Sequence, residues 1–183
     1  LIMRPIHVCF AMGLVFLTFP TFKKYKVPKG EKYLPQWYEY IFVGIILFCC
    51  VYMVMKSTRY DTRMAYVDPL TTMDYVTAIA LLLLMLECSR RAVNLALTII
   101  VLIFIGYGFF GEMMPGLLAH SNMSLAKFVE VQIFSTTGVF GSPVSTACGT
   151  VFYFLLFGAF LTATPAGRLF VNISTLLTRK ANG

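Results

Sequence analysis

Charge is what this sequence has little of. Of its 183 residues, 13% are Asp, Glu, Lys or Arg, whereas 58% are hydrophobic and the mean hydropathy is +0.78. A soluble domain has about 25% charged and about 45–50% apolar residues. The composition therefore excludes an ordinary soluble domain and predicts an integral membrane protein.

Residue patterns typical of catalysis and metal binding are also missing. No CxxC or Cys/His spacing relates the two histidines, His7 and His120, to the five cysteines. No Ser/His/Asp grouping, glycine-rich phosphate loop or pair of carboxylates within an apolar run is visible. We therefore expect no enzyme activity, no catalytic residue, no cofactor and no metal site, and we interpret the cysteines as small buried hydrophobes.

Long apolar runs are what the sequence has instead. None shows the alternating ten-residue pattern of an outer-membrane barrel, so the predicted fold class is an all-α integral membrane protein with about five transmembrane helices. The predicted spans are Ile6–Phe22, a run from the Trp37 aromatic cluster to about Met55, Thr72–Leu86, Ala92–Phe110 and Val144–Ala163. One or two amphipathic helices, Ser124–Phe134 and Leu169–Leu177, are predicted to lie in the interface or across the bundle.

The stretch Thr71–Gly111 predicts a helical hairpin, because an unbroken helix of this length would be about 60 Å long, twice the hydrocarbon thickness of a bilayer. Three charges, Glu87, Arg90 and Arg91, are expected at its turn. At spacings of three and four residues they can share one helical face and neutralise one another. We favour a structural charge cluster over a role in transport or proton relay, which ionisable residues near spans otherwise suggest.

A second candidate feature is the irregular backbone expected over Thr136–Pro143, which contains Gly138, Gly141 and Pro143. Irregular backbone at membrane depth survives only beside protein or a water-filled cavity, and transporters place binding sites at such breaks. A plain loop between a surface helix and a span explains the same residues, and we favour the loop.

The basic residues predict an orientation. With the N-terminus outside, ten Lys and Arg residues fall on the cytoplasmic side and five on the other, as the positive-inside rule requires. This distribution explains the net charge of +7 without nucleic acid as a partner. Because the chain begins with Leu1 rather than Met, we expect an excerpt of a longer chain with a preceding span.

Four stretches resemble the N-terminal part of TRAP transporters, and more narrowly the fused membrane component of the TAXI subtype. They are the stretch ending Glu87-Cys-Ser-Arg90-Arg91, Pro115-Gly-Leu-Leu-Ala-His120, Thr137-Gly-Val-Phe-Gly141-Ser-Pro143, and Phe157-Gly-Ala-Phe160 with Gly167. The resemblance covers most of the chain, more loosely before residue 71. It implies a Q-like scaffold region at residues 1–135 and the truncated start of an M-like transport region at residues 136–183.

The resemblance implies a multi-pass protein of the bacterial inner membrane that takes up an organic anion. A periplasmic substrate-binding protein would deliver the substrate, and a cation gradient, usually of sodium, would drive uptake. The substrate and coupling-cation residues of the family lie beyond this segment, so none is carried over. The expected partners are the lipid bilayer, the remaining M-like region and the binding protein. Two alternatives stay open: a membrane-anchor subunit of a respiratory-type enzyme, and a self-contained small membrane accessory protein.

Overall fold

A computed structural model describes residues 2–21 and 35–178, and throughout these ranges the regular structure is helical, without a β-strand. The predicted all-α class is therefore confirmed for this part of the chain. The basic segment that follows the first helix and the last five residues lie outside the described residues. The chain divides into two compact units, Leu1–Ser142 and Pro143–Gly183.

Eight helices follow one another in the described ranges. Three of them, α2, α4 and α7, are long and apolar enough to cross a membrane, and α1 and α5 are shorter apolar helices. Their bounds are α1 Met3–Thr18, α2 Trp37–Met55, α3 Ser57–Thr62, α4 Thr72–Ala92, α5 Leu95–Phe109, α6 Leu125–Val129 with a wider turn at Glu130–Phe134, α7 Ser142–Ala163 and α8 Pro165–Thr178.

Helices α1, α2 and α4 pack together as the core of the first unit. Each of them buries one stripe of residues at helical spacing, such as Cys9, Met12 and Phe16 on α1. Apolar side chains on the opposite faces, such as Phe48 and Leu83, are exposed. A helix that is apolar all round and only partly covered by protein is suited to a lipid environment.

Helix α5 contacts α4 but buries only Thr98 of its 15 residues. In the second unit, the apolar window of α7 is not buried at all, and α8 follows α7 after a break at Thr164. Both helices of this unit expose large apolar side chains, including Phe154, Phe160 and Phe170.

The turn of the hairpin is not where the charges predicted it. Helix α4 continues to Ala92, and the chain reverses at Val93 and Asn94, whose side-chain oxygen accepts from the backbone N of Ala96 at the start of α5. Oppositely charged residues three and four positions apart stabilise a helix, and arginines are favourable in its last turn. The charges therefore extend α4 instead of ending it.

Candidate functional site

Four charged side chains meet where α1 ends, α2 begins and α4 ends, and we call this group the Arg91 cluster. It contains the three residues expected from the sequence. Glu87 Oε1 accepts from Arg90 Nη2 at 2.6 Å and from Arg91 Nε at 2.8 Å, and Glu87 Oε2 accepts from Arg90 Nε at 2.7 Å. The structure thus brings the charges at spacings of three and four residues into one group.

The fourth member, Glu39 on α2, was missed by the sequence analysis. Arg91 Nη1 donates to Glu39 Oε1 at 3.2 Å, and both side chains are completely buried. The backbone N of Gln36 donates to Glu39 Oε2 at 3.0 Å. Two sequence signals could have identified Glu39: it is an acidic residue in an apolar run, and it lies three residues after a helix start, as in a capping box.

Aromatic rings and backbone carbonyls complete the surroundings of the Arg91 cluster. The Arg91 guanidinium lies 4.3 Å from the ring centre of Phe16 and 5.7 Å from that of Phe42. Arg91 Nη1 also lies 3.3 Å from the carbonyl oxygen of Phe19, and Arg90 Nη2 lies 3.1 Å from that of Thr21. These contacts fix the end of α1 against α4.

The Arg91 cluster balances two carboxylates with two guanidiniums. Because arginine keeps its proton at any physiological pH, each carboxylate faces a permanent positive charge. Such an arrangement cannot pass protons between its own members, but it can hold three helices in register. Among the described residues, Arg91 Nη2 is a buried donor without a hydrogen-bond partner.

A second group, the Asp74 cluster, lies at the opposite end of the core, where α2 ends and α4 begins. The Asp74 side chain is fully buried and accepts from five donors. These are Tyr60 Oη at 2.6 Å and Tyr52 Oη at 2.8 Å on Oδ1, and Thr71 Oγ1 at 2.7 Å, Thr71 N at 2.8 Å and Arg59 Nη1 at 3.3 Å on Oδ2. Tyr52 comes from the end of α2 and Tyr60 from α3, so sequence spacing could not place them beside Asp74.

The phenol of Tyr60 lies on α3, outside the apolar helices. Burial and the hydrogen bond to Asp74 raise its pKa above the usual value. The phenol therefore remains a donor to the carboxylate. The five donors engage both oxygens of the Asp74 carboxylate, and the cluster closes this end of the core.

Two arginines connect α6 and the irregular segment after it to the rest of the first unit. Arg63 pairs with Glu130, and both side chains are about 95% buried. Arg4 Nη1 donates to the carbonyl oxygen of Phe140 at 2.6 Å. Glu130 points inward, where the buried cation of Arg63 lies opposite it.

The structure places Gly138 and Gly141 in a non-helical stretch, residues 135–141, and Pro143 in the first turn of α7. A Cβ at Gly138 would overlap the backbone of Val131 and Gln132, so the chain approaches α6 too closely for any side chain there. A cavity of about 40 Å³ lies beside Phe140, lined mostly by apolar side chains.

The described residues contain no group of three His, Cys, Asp or Glu side chains that could hold a metal ion. His120 lies in the loop after α5, where its ring nitrogens are 2.9 Å from the carbonyl oxygen of Ser121 and 3.2 Å from that of Tyr107. Its ring is therefore held within loop structure, and it belongs to neither cluster.

The fold and the two clusters define a class: an all-α chain with helices able to cross a membrane, whose core is closed at each end by buried polar groups. Comparison of the chain with protein-family models, with curated proteins and with solved structures finds no significant match.

Proposed function

We propose that this chain is the N-terminal scaffold of the membrane component of a binding-protein-dependent secondary transporter of the TAXI-type TRAP class. The complete transporter would take up an organic carboxylate, driven by a cation gradient, across a bacterial inner membrane. In this proposal α1, α2, α4, α5 and α7 are the five spans, and the Arg91 cluster faces the cytoplasm. The resemblance of the Glu87–Arg91, Pro115–His120 and Thr137–Pro143 stretches to that family supports the assignment.

One structural observation carries the scaffold role: the α1–α2–α4 core is fastened at both ends by buried polar groups. Arg91 and Glu39 form a completely buried ion pair at one end, and five donors surround Asp74 at the other. Removing one partner of a buried pair leaves an uncompensated charge, which typically costs about 3–5 kcal/mol. Helices held together in this way can support a transport region that moves beside them.

The exposed apolar faces of α5 and α7 fit the same role. Within the described residues, α5 buries only Thr98, and the apolar window of α7 buries nothing. A scaffold needs such surfaces for lipid and for the transport region it supports. The residues that bind substrate and cation would then belong to that region.

Transport by the complete membrane component tests the proposal. The natural full-length gene product is reconstituted in vesicles, with the secreted binding protein encoded beside it, and uptake of radiolabelled carboxylates is measured. We expect uptake that requires both the binding protein and an inward sodium gradient, and that is unaffected by ATP. Uptake independent of a binding protein, or a gene without any binding-protein gene beside it, would contradict the proposal.

Substitution of Glu87 separates a scaffold role from a direct role in coupling. Glu87→Lys brings a third cation to Arg90 and Arg91, so we expect less folded transporter in the membrane and unchanged ion dependence of the protein that does assemble. The conservative variant Glu87→Asp should give an amount of folded transporter close to that of the natural protein. Normal assembly combined with loss of ion coupling would assign the cluster to transport.

A further inference from the structure

The loop between α5 and α6 exposes an unusual amount of apolar surface. Leu117 is fully exposed, at 105%, and Met113 and Leu118 are 79% and 61% exposed. Such contiguous apolar surface on an ordered segment is typical of a contact with a membrane or with another protein. We call residues 110–119 the apolar loop.

The apolar loop is folded rather than extended. The backbone N of His120 donates to Gly111 O at 3.2 Å, that of Met123 donates to Gly108 O at 3.1 Å, and Tyr107 Oη donates to Leu118 O at 2.7 Å. These bonds join the loop to the last turn of α5. They also satisfy backbone groups, which non-helical chain requires where it approaches hydrocarbon.

Two glycines permit this fold. A Cβ at Gly111 would overlap the imidazole of His120, which lies against it, and Gly116 has φ +65°, in the left-handed region that favours glycine. Glycine at these two positions lets the chain turn back and direct Leu117 away from the rest of the first unit. The exposure of the loop is thus built into its sequence.

The length of α5 indicates what covers the apolar loop. Its 15 residues extend about 22 Å at 1.5 Å per residue, which is about 8 Å less than the hydrocarbon thickness of about 30 Å. The missing length cannot come from the residues before α5, because Asn94 immediately precedes the helix and Arg91 lies shortly before it. At its end, the ten residues 110–119 carry a single charge, Glu112.

We propose that the apolar loop lies on the membrane at the end of α5, with its backbone at headgroup depth, where water remains available to it, and the side chains of Leu117 and Met113 among the acyl chains just below. This inference rests on α5 being a span, as proposed above. The occupant is lipid rather than protein, because the large exposed side chains of the loop are apolar and follow directly after the exposed apolar residues of α5. The exposed carboxylate of Glu112 lies within 3.4 Å of the backbone N of Asn122, at the base of the loop.

Depth measurements with single tryptophans test this inference on the full chain in phosphatidylcholine–phosphatidylglycerol vesicles. The natural Trp37 is replaced by Phe, and Leu117→Trp, Ile103→Trp and Asp61→Trp are made separately in that background. All three positions are exposed in the structure, so an added indole displaces no internal contact. Quenching is compared for iodide in water, for lipids brominated near the headgroup and for lipids brominated near the bilayer centre.

For Leu117→Trp we expect blue-shifted emission, strong quenching by bromine near the headgroup and little quenching by iodide. The matched control Asp61→Trp, on the polar helix α3 at the same end of the core, should be quenched by iodide. Quenching of the indole at position 117 by iodide would overturn the inference. Protection from both bromine and iodide would overturn it too, and would assign the loop to a protein partner. If Leu117→Trp does not fold, Met113→Trp serves the same comparison.

Ile103→Trp distinguishes failure of this inference from failure of the five-span architecture. Ile103 lies in the middle of α5, so quenching by bromine near the bilayer centre is expected. If that result is obtained while the indole at position 117 is in water, only the loop inference is wrong. If the indole at position 103 is not near the bilayer centre, α5 is not a span, and both the inference and the architecture are wrong.

Discussion

Arg91 is one of the completely buried charged residues in the described part of the chain. Its side chain is completely buried between two carboxylates and two aromatic rings, and it connects α4 to α2 and to the end of α1. Its neighbour Arg90 binds the same Glu87 but remains 33% exposed. Two adjacent arginines therefore differ in how much the fold depends on them.

Substitution of Arg91 should destabilise the protein much more than the same substitution of Arg90. Arg91→Met leaves the buried Glu39 without its cation, and we expect a loss of about 3–5 kcal/mol. The exposed pair of Arg90 is expected to contribute about 0–1 kcal/mol. Unfolding of the purified protein in detergent, followed by circular dichroism, measures both values.

A double-mutant cycle tests whether the effect comes from the pair. Combining Arg91→Met with Glu39→Gln removes both charges together and should recover part of the stability lost in the single variants. Equal losses of stability in Arg91→Met and Arg90→Met, or strict additivity in the cycle, would show that the buried pair does not stabilise this end of the core.

The Asp74 cluster predicts a dependence of stability on pH at the other end. Burial and the bond to Asp74 raise the pKa of the Tyr60 phenol, so the folded protein holds that proton more tightly than the unfolded chain does. The stabilisation is therefore complete below the ordinary phenol pKa of about 10 and declines as the pH rises above it.

We expect Tyr60→Phe to lose about 1.5–3 kcal/mol at neutral pH, the range for a hydrogen bond to a charged group. The difference from the natural protein should shrink above about pH 10, as measured by chemical unfolding at a series of pH values. Tyr40→Phe, at an exposed position, should show no such trend. A difference for Tyr60→Phe that stays constant with pH would contradict the assigned role of the phenol.

Some of this residue-level detail could be predicted from the sequence, and some could not. The grouping of Glu87, Arg90 and Arg91 follows from helical spacing alone. The partners Glu39 of Arg91 and Tyr52 of Asp74 lie 52 and 22 residues away, on helices whose rotation about their axes no local pattern specifies. The burial of Glu130 could not be predicted for the same reason, because its cation, Arg63, lies 67 residues earlier in the chain.

At the scale of elements, the helices were predictable because long apolar runs have few other structures available in a bilayer. The residues at which the helices end were less predictable. The end of α4 was wrong by six residues, Leu86 against Ala92, because the same charges that are tolerated at a membrane surface also stabilise a helix. The approach of residues 135–141 to α6 is a tertiary contact, and its glycines are the only local signal of that contact.

Gly138 provides the test at this scale. Gly138→Ala would force a Cβ into the backbone of Val131 and Gln132, and we expect a loss of about 1–3 kcal/mol from overpacking. Gly149→Ala is the matched control, because a Cβ at that position in α7 meets nothing within 4 Å. Its stability should be unchanged or slightly higher. Thermal unfolding compares the two, and equal effects would show that the close approach does not exist in solution.

For the whole molecule, the two polar clusters at opposite ends of one helical core are the central structural feature. In the proposed architecture the membrane lies between them, with the Asp74 cluster near the periplasm and the Arg91 cluster near the cytoplasm. The sequence predicted this orientation from basic residues alone. The structure adds the polar groups that close each end of the core. Which cluster faces the cytoplasm is tested in a membrane.

Reporter fusions in the natural reading frame measure this arrangement most directly. Alkaline phosphatase or green fluorescent protein is joined after Arg63, beside the Asp74 cluster, or after Asn94, beside the Arg91 cluster. Phosphatase is active only in the periplasm, and the fluorescent protein folds only in the cytoplasm. We predict active phosphatase after Arg63 and fluorescence after Asn94. Reversed activities would contradict the orientation, and the same activity at both positions would contradict a core that crosses the membrane.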